Sequence, residues 1–183
     1  MARTHIEHEG VLGKAKEIIH GMISVQQWIC LLFSAVFILL MILQVIMRYV
    51  FNNPIYGIDE WVTALMIWYS AMGVVVVYWE KGHAMIGMMT KYMSNPVKKG
   101  ILILSEGIVV ILSCIFVKTG IELFAKQMLT KPMGGVPFNK SIYYALPIIV
   151  MGVTMLITGV FRLIETIMTR NVERLAEERV SLD

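Results

Sequence analysis

The chain has 183 residues, of which 57% are apolar and only 16% charged, with a net charge of +3 and a mean hydropathy of +0.72. A soluble domain carries about 25% charged and 45–50% apolar residues, so this apolar excess requires lipid as the solvent for much of its surface. The basic residues are scattered between apolar runs rather than gathered into a stripe, which excludes nucleic acid as a partner.

Residues 1–20 are mixed in polarity and show little periodicity, which predicts a poorly ordered start to the chain. His5 and His8 with Glu7 and Glu9 gather metal-type ligands there, but on a flexible terminus they read as chance, and no metal is expected. The first long apolar run covers about 25–47, broken only by Ser34 and Gln44. A hydrocarbon core about 30 Å thick needs about 20 apolar residues in helix, so the run is long enough to span. It begins well inside the chain and lacks a small-residue cleavage site, so it reads as a retained span rather than a signal peptide.

Arg48 and the turn Asn52-Asn53-Pro54 separate this run from a second span, about 59–79, which opens on Asp59 and Glu60. Acids at a helix N-terminus are favoured by the helix dipole, by about 0.3–1 kcal/mol. Two of them facing Arg48 across a short turn predict a pinned first loop. The run from Trp61 to Trp79 then carries no charge. After Gly82-His83 the stretch 84–94 is too short to span, yet its apolar positions 85, 86, 89, 92 and 93 keep helical spacing. It is expected to lie as an interfacial amphipathic helix on the cytoplasmic surface, with Trp79 and His83 as interfacial anchors.

The third span, about 100–122, contains Glu106 roughly two turns from its start. An ionisable residue inside a span is a pointer to function, here a proton or ion site. The alternative is a polar contact to another helix or subunit, and with no second carboxylate in any span the packing role is favoured. Lys118, Glu122 and Lys126 follow at i, i+4, i+8 spacing. Such a series pairs along its own helix for a few tenths of a kcal/mol per pair, or forms a polar collar with Arg48, Asp59 and Glu60. The fourth span, about 142–162, places Gly152 and Gly159 seven residues apart, with Ala145 seven further back. That strip lets another helix approach closely, and Pro147 can kink the first turns. From Arg162 onward the tail is charged and reads as a short cytoplasmic helix that frays.

Backbone groups in lipid must bond within their own segment, so each span is a helix. The fold expected is an all-α membrane protein, a single domain over 1–183 with four transmembrane helices plus the interfacial helix. Lys and Arg favour the cytoplasmic side. Arg3, Lys14, Lys16, Lys81, Lys91, Lys98, Lys99, Arg162, Arg170, Arg174 and Arg179 fall on one side, against Arg48, Lys126, Lys131 and Lys140 on the other. Eleven against four puts both termini in the cytoplasm. Cys30 and Cys114 sit inside apolar runs and read as packing residues. No histidine lies within a span, which argues against haem. No phosphate loop or nucleophile elbow is present, so neither catalysis nor a cofactor is expected.

At three stretches the chain resembles the DctQ-like small membrane subunits of the tripartite ATP-independent periplasmic (TRAP) transporters. These are Arg48-Tyr49-Val50-Phe51-Asn52-Asn53-Pro54 followed by Asp59-Glu60; Trp68 and Gly73 leading to Gly82-His83; and Pro137 with Tyr143, Tyr144 and Pro147-Ile148 leading into the fourth span. Gly57-Ile58 departs from the family pattern, which has an aromatic and a hydroxyl residue before the acidic pair. The resemblance implies a bacterial inner-membrane subunit that braces a large many-span transport subunit. In such systems a sodium gradient drives uptake of an organic anion delivered by a periplasmic substrate-binding protein. Arg48, Asp59, Glu60, Lys118 and Glu122 would then face the partner proteins, and His83, Glu106, Gly152, Gly159 and Trp79 would serve packing, anchoring and contact with membrane lipids. Two alternatives stay open: a stand-alone small four-helix exporter, and a membrane anchor for a redox enzyme.

Overall fold

The computed structural model describes residues 2–81, 95–131 and 138–168, with side chains for 13–80, 96–131 and 138–168. Among the described residues the chain is helical and contains no strand: α1 is Ala2–Tyr49, α2 Ile58–Lys81, α3 Asn95–Gln127 and α4 Leu146–Met168. Each holds a stretch long and apolar enough to cross a membrane, within Gly13–Tyr49, Ile58–Glu80, Pro96–Gln127 and Ser141–Met168. The predicted interfacial helix at 84–94, His83 and Pro137 lie outside the described residues.

The start of the chain differs from expectation. Residues 2–20 continue the first span as one unbroken helix of 48 residues. No proline interrupts it, and an apolar run already in helix lowers the cost of extending the same helix backwards. The extension also has something to pack on. Ile19 and Ile23 are buried against Val76 of α2 and Phe161 of α4, with Met22 and Trp79 at the margin. At about 1.5 Å per residue α1 is far longer than a 30 Å hydrocarbon core, so its first turns project beyond the span.

Two antiparallel hairpins make up the bundle, α1 with α2 and α3 with α4, and they meet where α2 packs on α4. In the first hairpin Phe33 meets Trp68 edge-on at 6.4 Å, and Phe37 meets Tyr69 at 5.4 Å. The Cys30 thiol donates to the Tyr69 carbonyl at 3.4 Å. In the second hairpin the seam is built from small residues. A Cβ on Gly120 would lie 2.7 Å from Ile149 Cγ1, one on Gly152 2.9 Å from Val117 Cγ2, and one on Gly159 3.3 Å from Val110 Cγ2. Ten residues down α3, from Gly120 to Val110, match ten residues up α4, from Ile149 to Gly159. The two helices therefore run antiparallel in constant register, as a strip of small residues permits.

Polar residues of α4 face inward. Thr154, Thr158, Arg162 and Thr166, at spacing four, are all buried, while Val153, Ile157, Val160, Ile164 and Ile167 face outward. In lipid the outward face needs no polar group, so polar side chains collect where other helices satisfy them. Thr158 donates to the Thr154 carbonyl at 2.8 Å, and Thr154 to the Val150 carbonyl at 2.8 Å, so these hydroxyls bond within their own helix.

A π-helical turn, Ser141–Ala145, leads into α4, with the Leu146 N–H bonded to the Ser141 carbonyl. Pro147, the next residue, has no N–H to donate, and the widened turn closes the backbone bonding just before it. Tyr143 and Ala64 form a small buried cluster beside Tyr144, and Tyr143 meets Trp61 edge-on at 6.0 Å. The outer helices α1 and α3 keep broad apolar faces exposed, including Leu31, Leu39, Ile42, Ile108, Ile111 and Ile115.

Candidate functional site

Among the described residues Glu106 is the most deeply placed acid, with 1% of its surface exposed. A carboxylate in such a place needs donors, because an unpaired charge in an apolar medium costs several kcal/mol. One donor comes from α2: the Tyr78 hydroxyl donates to Glu106 Oε2. Above the same tyrosine lies Arg162 of α4, itself 4% exposed. Its guanidinium carbon stands 4.7 Å from the Tyr78 ring centre and 5.0 Å from that of Trp79. One arm of the fork, Nη1, donates to the Tyr78 carbonyl at 2.9 Å, and the other, Nη2, donates to the Trp79 carbonyl.

Both carbonyls belong to the last turn of α2, where helix carbonyls have no partner within the helix. Arg162 thus caps α2 from a neighbouring helix, with its charge at the negative end of the α2 dipole. Three helices are joined in this way: α3 through Glu106, α2 through Tyr78 and Trp79, and α4 through Arg162. Lys99 adds a further link nearby, donating from Nζ to the Ile167 carbonyl at 3.0 Å.

The placement of Arg162 corrects the sequence reading, which assigned it to the charged cytoplasmic tail. It lies inside α4, six residues before its end at Met168. Without it the side expected to be cytoplasmic keeps ten basic residues against four. A signal was present in the sequence: Thr154, Thr158, Arg162 and Thr166 form a polar stripe at helical spacing in an otherwise apolar run. Tyr78 carried no such signal, since a tyrosine near a span end is also the ordinary interfacial anchor.

At the opposite end of the bundle the predicted loop residues are placed as follows. Asp59 and Glu60 occupy the first turn of α2. Asp59 Oδ1 accepts from Gln44 Nε2 of α1 at 3.4 Å, and the Glu60 N–H donates to the Gly57 carbonyl at 3.2 Å. Arg48, expected opposite the acids, instead places its guanidinium 5.7 Å from the centre of the Tyr49 ring. The turn itself is tight: Asn53 N–H reaches back to the Met47 carbonyl, and Asn52 and Gly57 take positive φ of 51° and 84°.

Lys118 and Glu122 are exposed on α3, together with Lys126, and among the described residues they form no ion pair with one another. Long, solvated side chains lose rotamer freedom when paired, which leaves exposed pairs little net gain. Nor do these residues bond to the Arg48–Glu60 loop, because α3 packs on α4 while that loop joins α1 to α2. Gly152 and Gly159 lie in the α3–α4 seam described above, and Trp79 stands half-buried under Arg162. No group of metal-binding side chains is found among the described residues.

A family model described as "Tripartite ATP-independent periplasmic transporters, DctQ component" matches residues 37–169. That interval takes in the first loop, the last three helices and all three members of the buried cluster. No curated protein and no solved structure matches the chain.

Proposed function

The chain belongs to the DctQ component family of the tripartite ATP-independent periplasmic transporters, and on that premise we propose that it braces a larger partner subunit rather than carrying solute itself. As a DctQ component it is the small permease subunit of such a transporter, a multi-pass protein of the inner membrane. In the proposed assembly a large many-span subunit moves an organic anion on a sodium gradient. A periplasmic binding protein supplies the anion.

The observation that carries this reading is the family match over 37–169. Two features of the fold support it. The apolar faces of α1 and α3, open along most of their length, offer a broad surface to a second membrane protein or to lipids. The interior is tied up by the Glu106–Tyr78–Arg162 cluster and by a seam too tight for one added methyl group. Orientation with both termini in the cytoplasm rests on the ten basic residues against four. It places Arg48, Asp59, Glu60, Lys118 and Glu122 at the periplasmic end, where the binding protein would dock.

Proteoliposomes test the proposal. The large subunit, the binding protein and a sodium gradient are supplied with and without this chain, and uptake of candidate organic acids is followed. Uptake that requires this chain, with none by the chain alone, is the expected result. Transport by the chain alone would refute the bracing role and return Glu106 to the status of an ion site.

A further inference from the structure

We infer that the outward face of α3 around Lys118 and Glu122 is covered, inside the bilayer, by a transmembrane segment of the large partner subunit that presents an acidic side chain to Lys118. This rests on the proposed bracing role and narrows it to one face of one helix. Lys118 and Glu122 lie two residues either side of Gly120, over which Ile149 of α4 closes. Two residues turn a helix by about 200°, so both point away from α4. Both are exposed, and among the described residues neither makes a hydrogen bond or an ion pair. Leu104, Ile108, Ile111 and Ile115 are exposed on the same side, and their alternating spacing of four and three continues through Lys118 to Glu122. The six form one stripe along the helix, of the kind that seats a second helix.

The register of the α3–α4 seam gives the depth of that stripe. Gly120 meets Ile149 and Val117 meets Gly152, which sets Lys118 level with Met151. The apolar stretch of α4 covers 28 residues, Ser141–Met168, and a hydrocarbon core takes about 20 of them. Wherever those residues fall in the stretch, Met151 is among them, so Lys118 lies within the core. Tyr143 stands beside Trp61, which puts the start of the stretch level with Asp59 and Glu60 in the first turn of α2. Lys118 lies about 15 Å deeper, and Glu122 one turn nearer the loop. Both remain in the periplasmic half of α3, but Lys118 is below the reach of a soluble protein. Ionisable side chains within spans face protein or water, because lipid does not solvate the charge. Helix side chains lean toward the N-terminus, and for Lys118 that direction leads away from the nearer surface. A lipid headgroup sits at the surface, not at this depth. A second copy related by a two-fold axis along the membrane normal would set Lys118 against Lys118. A membrane protein carrying an acid at this depth answers the charge, and in the proposed assembly that protein is the large subunit.

Photocrosslinking of the complete transporter in native membranes tests this. With p-benzoylphenylalanine in place of Ile115, one turn from Lys118, ultraviolet light should join this chain to the large subunit. A product with a second copy of this chain or with the binding protein would overturn the α3 contact and leave the bracing role standing. So would the absence of any product while the large subunit still co-purifies. A chain that never co-purifies with the large subunit would sink both. Charge changes give a second readout. Lys118→Glu should cut the large subunit recovered with this chain by roughly tenfold or more, whereas Lys118→Arg, which keeps the charge, should retain most of it. Lys118→Leu separates protein from lipid. Against the partner's acid it strands a buried charge and lowers recovery; recovery unchanged or raised by it would put this face in lipid and end the proposal.

Discussion

Replacing Gly152 with alanine probes the α3–α4 seam most directly. The new Cβ would lie 2.9 Å from Val117 Cγ2, 3.0 Å from Val117 N and 3.3 Å from Phe116 Cβ. The valine methyl can turn away, but a backbone nitrogen cannot, so the two helices must part by a few tenths of an ångström. Overpacking of this kind costs about 1–3 kcal/mol, against which the better helix propensity of alanine returns up to about 1 kcal/mol. Gly100→Ala supplies the comparison, because nothing lies within 4 Å of its added Cβ and it sits on the exposed side of α3. That variant gains the propensity term alone. The difference between the two variants isolates the steric term, about 1–3 kcal/mol, or roughly 2–12 °C in unfolding midpoint for a chain of this size. Parallel thermal unfolding in detergent should rank Gly100→Ala at or above the parent and Gly152→Ala below Gly100→Ala by that interval. Equal midpoints for the two variants would refute the close-approach argument.

Three further expectations follow from the same contacts. Thr158→Val removes a hydroxyl that bonds only within its own helix, so the unfolding midpoint should move by the equivalent of about 0.6 kcal/mol or less; a larger loss would point to an interhelical role. Trp61→Leu deletes the edge-on contact with Tyr143 at 6.0 Å, and should destabilise by about 0.5–1.5 kcal/mol beyond the area lost, read by chemical or thermal unfolding. Charge reversal at both Lys118 and Glu122 should leave the stability of the isolated chain within about 0.5 kcal/mol, since both are exposed and unpaired with each other. Reduced uptake by the reconstituted transporter carrying that reversal would then report a partner contact, and unchanged uptake would remove these residues from the docking surface.

The four spans were legible because one strong rule governs them. A segment must match the thickness of the hydrocarbon core and satisfy its own backbone, and both conditions are written in length and polarity. The site was legible only in pieces. Glu106 stood out as an acid well inside an apolar run, and Gly152 and Gly159 stood out by their spacing. Arg162 did not, because a basic residue near a span end has the same neighbours in sequence whether it reaches out to water or turns inward. Its rotation about the helix axis decides the matter, and the stripe Thr154, Thr158, Arg162 and Thr166 was the available clue to that rotation. Residues 2–20 were missed for a related reason: of side chains 13–20 Ile19 alone is buried, so the stretch carries little periodic apolar signal.

Sequence alone therefore determined the solvent, the number of crossings and, through motifs at the first loop, the second span and the entry to the fourth, the family. Those properties depend on each segment by itself and on the bilayer, which acts on every helix alike. Tertiary structure alone decided the partners: which hairpins form, that α2 meets α4, and that an arginine on one helix closes the end of another while a tyrosine passes its hydroxyl to a glutamate on a third. Such pairings depend on register and rotation between helices, and the apolar pattern that sends a helix into lipid does not specify either one.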